Sequence, residues 1–348
     1  MHGGNRAKLA KRAGCNPNDI LDFSISVNPL GPPDWLNECI ESALQNITHY
    51  PDPYSEFAAD AVSKAYDVLP DEVILGNGAT ELLNIILGLP IFQRAVIVKP
   101  AYSDYAASAV RANLPIHFFT TDSEKMFDLD IERLSSMIKP RDLVIFGHPA
   151  NPTGMLLPSS VDGICSVHPD SYFLIDESFL DLSENGVSFL SSNLQNKMIL
   201  KSFTKAFAVP GLRIGAVFAN QEIIKKIKAQ QPHWSVNTFA QHFITRAVQD
   251  ENYLLHSKAR ITFLRKHLIQ QLSSVPHHTV YPSVTNFVLA HIYDCVKTTT
   301  ELEEELLVNE KIAIRDASDM VDNYHYRIAV CDVPMQTRLI DALLKYMS

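Results

Sequence analysis

Lys205 closes the run Ser202-Phe203-Thr204-Lys205 and is followed by Gly211-Leu212-Arg213-Ile214-Gly215. An amine that is partly desolvated and flanked by a cation gives up its proton near neutral pH and can attack a carbonyl. Ser202, Thr204 and Arg213 add two hydroxyls and a planar cation, a set that suits a phosphate dianion. Alone, the same residues describe equally well a surface lysine on a loop with Ser and Thr as caps. Other chemistry-bearing residues fall in order upstream. Ile175-Asp176-Glu177 ends an apolar run with a carboxylate, which by itself could be a helix cap. Asn151-Pro152-Thr153-Gly154 follows another such run, and Gly76-Asn77-Gly78-Ala79-Thr80-Glu81 stands between an apolar run and an amphipathic one. At a helix start of that kind the amides of Ala79 and Thr80 can cradle an anion.

These residues need a scaffold that brings them together. Short apolar runs at 71–75, 95–99, 115–119, 143–146, 172–175, 198–200 and 214–218 are expected strands. Helical patterns lie between several of them, at 79–88, 103–112 and 131–138. Such alternation predicts an α/β fold with a mixed, mostly parallel sheet covered on both faces. Ligands of these sheets lie beyond the carboxyl ends of the strands, where the residues above fall. Segment 221–231 is expected to be helical, and 238 to about 273 to form one long helix joining two domains. Strands at 286–290, 312–315 and 326–330 and a last helix at 336–347 complete a smaller α/β domain. The expected division is 1–45 as a segment joining the small domain, 46–275 as the large domain with its linking helix, and 276–348 as the small domain. The Pro-rich stretch 28–35 is a loop, because Pro fixes φ and is excluded from element interiors.

Composition narrows the function. The 348 residues are 46% hydrophobic and 20% charged, with a net charge of −9. That balance argues against nucleic-acid binding, which needs clustered Lys and Arg, but leaves room for a basic pocket. The five cysteines are scattered, with no C-x-x-C pair, so neither a metal site nor a disulfide framework is expected. No apolar segment opens the chain, and no run reaches the roughly 18 residues of a membrane span. A soluble, cytoplasmic protein is expected.

Taken in order, the motifs resemble those of fold-type I pyridoxal-phosphate enzymes, the class I/II aminotransferase-like family, over nearly the whole chain. The resemblance implies pyridoxal 5'-phosphate as cofactor, held covalently on Lys205. It implies that Asp176 pairs with the pyridine nitrogen and keeps the ring able to accept electrons. Asn151 would reach the phenolic oxygen, and Tyr105, otherwise an ordinary core tyrosine, would stack on the ring. Ala79, Thr80, Ser202, Thr204 and Arg213 would hold the phosphate. Tyr50 would reach the phosphate of a neighbouring subunit, which implies a homodimer. Arg327 would bind the α-carboxylate of the substrate.

Within that family the chain is most similar to threonine-phosphate decarboxylases of cobalamin biosynthesis, with histidinol-phosphate aminotransferases next. His2-Gly3-Gly4-Asn5, Asp22-Phe23-Ser24 and Asn28-Pro29-Leu30-Gly31 carry the first likeness. Phe179 stands where the aminotransferases carry a tyrosine. Both groups act on a small phosphorylated amino acid or amine, and Arg315 matches their phosphate-binding arginine, although a strand-end pair with Asp316 is the plain alternative. His2, Asn5 and Asn28 are further candidates for substrate contact. Three positions depart from the pattern: Ser26 replaces Asn, Ser178 replaces Ala, and Cys331 replaces a basic residue. They bear on which phosphorylated amino acid is taken, serine or threonine phosphate for example.

Overall fold

The structure is a computed structural model, and it describes residues 3–191, 195–294 and 297–347. Among the described residues there are thirteen strands, β1 to β13 in chain order. Seven form the main sheet: β2 (Val73–Asn77), β3 (Arg94–Lys99), β4 (Ile116–Thr120), β5 (Asp142–Gly147), β6 (Tyr172–Asp176), β7 (Lys197–Ser202) and β8 (Ile214–Ala219). Their order is β2-β8-β7-β6-β5-β3-β4, and all run parallel except β8, which is antiparallel to both neighbours. The apolar runs are continuous because both faces are covered. Leu143, Ile145, Leu174, Met198 and Leu200 enter one core, whereas Val144, Phe146, Phe173, Ile175 and Ile199 enter the other. Period-two alternation along each strand thus feeds two separate apolar layers.

The smaller layer holds β9 (His278–Val280), β10 (Phe287–Ile292), β12 (Arg315–Asp316) and β13 (His325–Ala329) in the antiparallel order β12-β13-β10-β9. β1 (Leu21–Asp22) pairs in parallel with β11 (Ile312–Ala313), so the start of the chain joins the part that follows residue 276. The first 45 residues do not act as one piece, however. Trp35 and the helix Leu36–Leu44 lie against the large layer, with Trp35 5.4 Å from Phe243 between ring centres.

The long helix expected from 238 to about 273 is two helices, Thr238–Ala247 and Glu251–Leu272. Asp250 breaks it. Its side chain accepts from the Tyr253 amide at 3.1 Å as an N-cap and from Trp35 Nε1 at 2.7 Å. A capping Asp followed by Glu251 is a helix start, and the apolar periodicity running through both segments hides it. The expected strand 312–315 is likewise two bridges, β11 and β12, on different sheets.

Candidate active site

One edge of the main sheet collects the motif residues. Asp176 and Ser202 are the last residues of β6 and β7, Asn77 ends β2, and Asn151 lies four residues past β5. Arg213 precedes a strand rather than following one. It reaches the same edge because β8 runs antiparallel, which puts its amino end beside the carboxyl ends of the others. Arg213 is left-handed, φ 57°, a conformation of the order of 1–3 kcal/mol for a residue with a Cβ. It follows the tight turn Pro210–Leu212 and turns the chain into β8.

A cavity of about 260 Å³ opens there. Lys205, Asp176, Tyr105, Asn151, Ala79, Thr80, Ser202, Thr204, Arg213, Arg327 and Arg315 all line it. Eleven of the residues singled out from sequence therefore converge, from segments that span residues 79 to 327.

The geometry fits a phosphorylated aldehyde. Ala79 opens the helix Ala79–Leu87, and the first amides of a helix have no acceptor within it. Gly78 has φ +77°, and a Cβ built there would stand 2.5 Å from Arg213 Nη2. A Cβ on Gly215 would meet the Ala79 nitrogen at 2.5 Å. The two glycines therefore let the guanidinium and the helix start close on one small volume, beside the Ser202 and Thr204 hydroxyls, which are 2.9 Å apart. Across the cavity Asp176 accepts from the Tyr105 hydroxyl at 2.6 Å and from the Ser178 amide at 2.9 Å. Tyr105 is 2% exposed, and burial, then Asp176, pushes its pKa well up, so it remains a hydrogen-bond donor to the carboxylate.

The Lys205 amine lies 5.0 Å from the centre of the Phe179 ring. Burial lowers its pKa, Asp176 acts to raise it, and Arg327 and Arg213 lower it further; the net shift is downward. The physics asked of a nucleophilic amine is therefore present.

The opposite side of the cavity is built from the smaller layer and the start of the chain. Arg327 Nη1 donates to Asn151 Oδ1 at 2.6 Å and Nη2 to the Ser24 carbonyl at 3.0 Å. The first contact turns the Asn151 NH₂ away from Arg327. Burial, then the charge of Arg315, lowers the pKa of Arg327. Both hydrogen-bond partners are neutral, so its charge lacks a carboxylate there. Its Nε and the Ser26 hydroxyl are buried with no hydrogen-bond partner among the described residues. Arg315 lies directly across from Arg327 in the β12–β13 pair. Its ionic partner is Asp319, not the Asp316 of the plain alternative; only the Asp316 carbonyl is used, while its carboxylate is occupied by Thr299, Thr300 and Ser318.

Three sequence candidates fall elsewhere, and a fourth is not among the described residues. Asn28 is 2% exposed and does not line the cavity. Its NH₂ donates to the Ala206 carbonyl, Tyr253 hydroxyl and Ser257 Oγ at 2.8, 3.0 and 2.7 Å, so its capacity is spent inside the protein. Asn5 caps the helix Arg6–Ala13 through the Lys8 amide at 3.0 Å and borders a second cavity, of about 240 Å³, that shares Gly3, Ser24 and Arg315 with the first. Tyr50 is 83% exposed, its ring 5.1 Å from Trp234, and is outside this cavity. His2 lies outside the described residues.

Sequence reasoning also missed residues. Tyr102 lines the cavity and packs edge-on to Tyr105 at 5.7 Å; its spacing of three from Tyr105 at a helix start was the available signal. Ser24 contributes a backbone carbonyl, for which no side-chain pattern exists.

The model of the aminotransferase class I and II family matches residues 18–343. The adenosylcobalamin biosynthesis bifunctional protein of Leptospira interrogans is 37% identical over 98% of this chain, which spans only 40% of that longer relative. The threonine-phosphate decarboxylase of Salmonella typhimurium is 29% identical, with 98% of this chain and 95% of that one aligned. Among solved structures, the histidinol-phosphate aminotransferase of Clostridium acetobutylicum superposes with a TM-score of 0.86 at 28% identity, covering 93% of this chain and 98% of its own. The chain belongs to the aminotransferase class I and II family, and its cofactor is pyridoxal 5'-phosphate.

Proposed function

We propose that the protein is a carboxy-lyase that converts L-threonine O-3-phosphate to (R)-1-aminopropan-2-yl phosphate and carbon dioxide, a step of cobalamin biosynthesis. One observation carries the reading: Arg327 and Arg315, side by side on β13 and β12, both face the cavity that holds Lys205. Two guanidiniums at one end of the site suit a substrate with two anionic groups. Arg327 takes the α-carboxylate, with Asn151 and the Ser24 carbonyl fixing its plane. Arg315 takes the phosphate.

Bound pyridoxal phosphate supplies the electron sink for the pair left on the α-carbon. Lys205 holds the cofactor and then delivers a proton to the α-carbon where the carboxylate has departed. Asp176, oriented by Tyr105 and Ser178, would pair with the pyridine nitrogen; Ala79, Thr80, Ser202, Thr204 and Arg213 would hold the cofactor phosphate. Two anchors on one small substrate fix its rotation, and positioning errors near 1 Å already cost about a hundredfold.

The choice of decarboxylation is supported by the likeness to the Salmonella decarboxylase and by Phe179, which offers no hydroxyl beside Lys205, and the place in cobalamin biosynthesis by the likeness to the Leptospira protein. The solved aminotransferase favours a second reading, transamination of histidinol phosphate. The proposed assembly is a cytoplasmic homodimer in which the exposed Tyr50 reaches the neighbouring site. The cofactor-loaded protein, given threonine phosphate, is expected to release one carbon dioxide per amine phosphate formed. Transamination of histidinol phosphate with no carbon dioxide from threonine phosphate would replace this reading with the second.

A further inference from the structure

We propose that Asp319 is an internal competitor for the substrate's distal anion. It occupies Arg315 while the site is free, exchanges with the phosphate on binding, and weakens the hold on the phosphorylated product so that it can leave. The proposal rests on Arg315 being the phosphate anchor.

Arg315 Nη2 donates to Asp319 Oδ1 at 2.8 Å and Oδ2 at 2.7 Å, and Nη1 donates to the Asp316 carbonyl. A phosphate therefore gains Nη2 only by taking the place that Asp319 now holds. The two partners differ in freedom to move. The Arg315 side chain is 7% exposed, that of Asp319 34%. Arg315 is fixed in a strand. Asp319 lies in the turn between β12 and β13, next to Met320, which lines the cavity. Its carboxylate makes no other hydrogen bond among the described residues. Asp316, by contrast, accepts from Thr299, Thr300 and Ser318 and is locked. One carboxylate is built to stay and the other to turn into water.

The electrostatics give the exchange a purpose. Arg315 and Arg327 face each other across β12–β13, and the nearest partners of Arg327 are neutral. Without substrate the Asp319 carboxylate offsets the repulsion between the two cations. When a phosphate arrives, two carboxylates and a dianion cannot share this corner with two guanidiniums, and the mobile acid leaves. The penalty applies to any anion at Arg315, so it lowers affinity for substrate and product alike.

The test is competitive inhibition of the cofactor-loaded enzyme by inorganic phosphate, with threonine phosphate as substrate. Asp319→Ala and Asp319→Asn are expected to tighten phosphate inhibition, the alanine variant by about tenfold or more, and to lower KM more than they change kcat. A structural lesion would weaken binding, so the direction is diagnostic. In Arg315→Ala/Asp319→Ala the gain is expected to vanish. Phosphate inhibition that is unchanged or weaker in both single variants overturns the exchange. If Arg315→Ala alone leaves phosphate inhibition intact, the phosphate-anchor assignment fails; if it abolishes inhibition while the Asp319 variants gain nothing, only the exchange fails.

Discussion

The proposed cofactor edge and the proposed substrate corner of this cavity are built by different means. At the cofactor edge each contribution is local: a strand ends, a turn follows, and the residue that matters lies within a few positions. Behind that edge a buried ion cluster ties β6 to β7. Lys201 donates to Asp181 at 2.8 Å and lies 3.8 Å from Glu177, which also accepts from Ser188 and Phe189. The substrate corner has no such local logic. Arg327 meets the Ser24 carbonyl across 303 residues and Asn151 across 176, and its neighbour Arg315 arrives on a two-residue strand. The first region is a rigid platform, the second an assembly of distant pieces with a replaceable internal partner.

The comparison is sharpest in two lysines four residues apart. Lys205 opens into the cavity; Lys201 points to the far face of β7, since Leu200 and Ser202 are the cavity residues of that strand. Lys205→Ala is expected to cut kcat by at least about 10³-fold, because it removes both the proposed covalent anchor and the proposed proton donor. The yellow colour fixed by borohydride in the parent protein is expected to disappear with it. Residual activity within tenfold of the parent would move the chemistry to another amine and dissolve the distinction between edge and corner.

The same contrast explains what the sequence disclosed. Ser202, Thr204, Lys205 and Arg213 lie within twelve residues and one strand–turn–strand unit, so their order alone carries their geometry. Asp176 and Asn151 were legible as strand-end residues because a parallel sheet gathers such ends on one edge. Asn28 was not, although it belongs to a recognisable segment: motif membership says that a residue is needed, not whether it faces substrate or protein. Asp319 gave no signal, since an Asp in a polar turn is ordinary until the fold shows the guanidinium four positions back to be buried. The break at Asp250 was hidden because buried positions recur at three- and four-residue spacing within each helix, and only the cap chemistry marks the joint.

Lys201→Met tests the platform. Burial opposes the Lys201 charge, but Asp181, Tyr66 and Glu177 outweigh it and leave its pKa raised. Removing the cation strands two acids. Glu177 keeps its bonds from Ser188 and Phe189, and Asp181 is part-exposed, so the expected loss is near the lower end of the range for a broken buried pair, about 3 kcal/mol. Denaturant unfolding of the cofactor-free protein measures it. Stability within 0.5 kcal/mol of the parent, as for ordinary surface sites, would show that the cluster does not hold the edge together.

Asn28→Ala tests the joint between the two regions, with the smallest expected effect. The Asn28 amide N–H donates to the Lys205 carbonyl at 3.0 Å, while its side chain binds the Ala206 carbonyl, Tyr253 and Ser257. It thus fastens the segment that carries Ser24 and Ser26 to the short helix that carries Lys205. Truncation leaves the Ala206 carbonyl and the Leu30 amide without their Asn28 partner, but Ser257 retains its bond to the Tyr253 carbonyl and Tyr253 its bond to Gly31. Because those two partners remain satisfied, the cost is expected near 1–2 kcal/mol rather than the sum of three bonds. The backbone bond survives, so cofactor binding is expected to persist while KM for the phosphorylated substrate rises severalfold. A kcat loss with KM unchanged would instead mean that Asn28 serves Lys205 and not the substrate corner, and the two regions would then share one support.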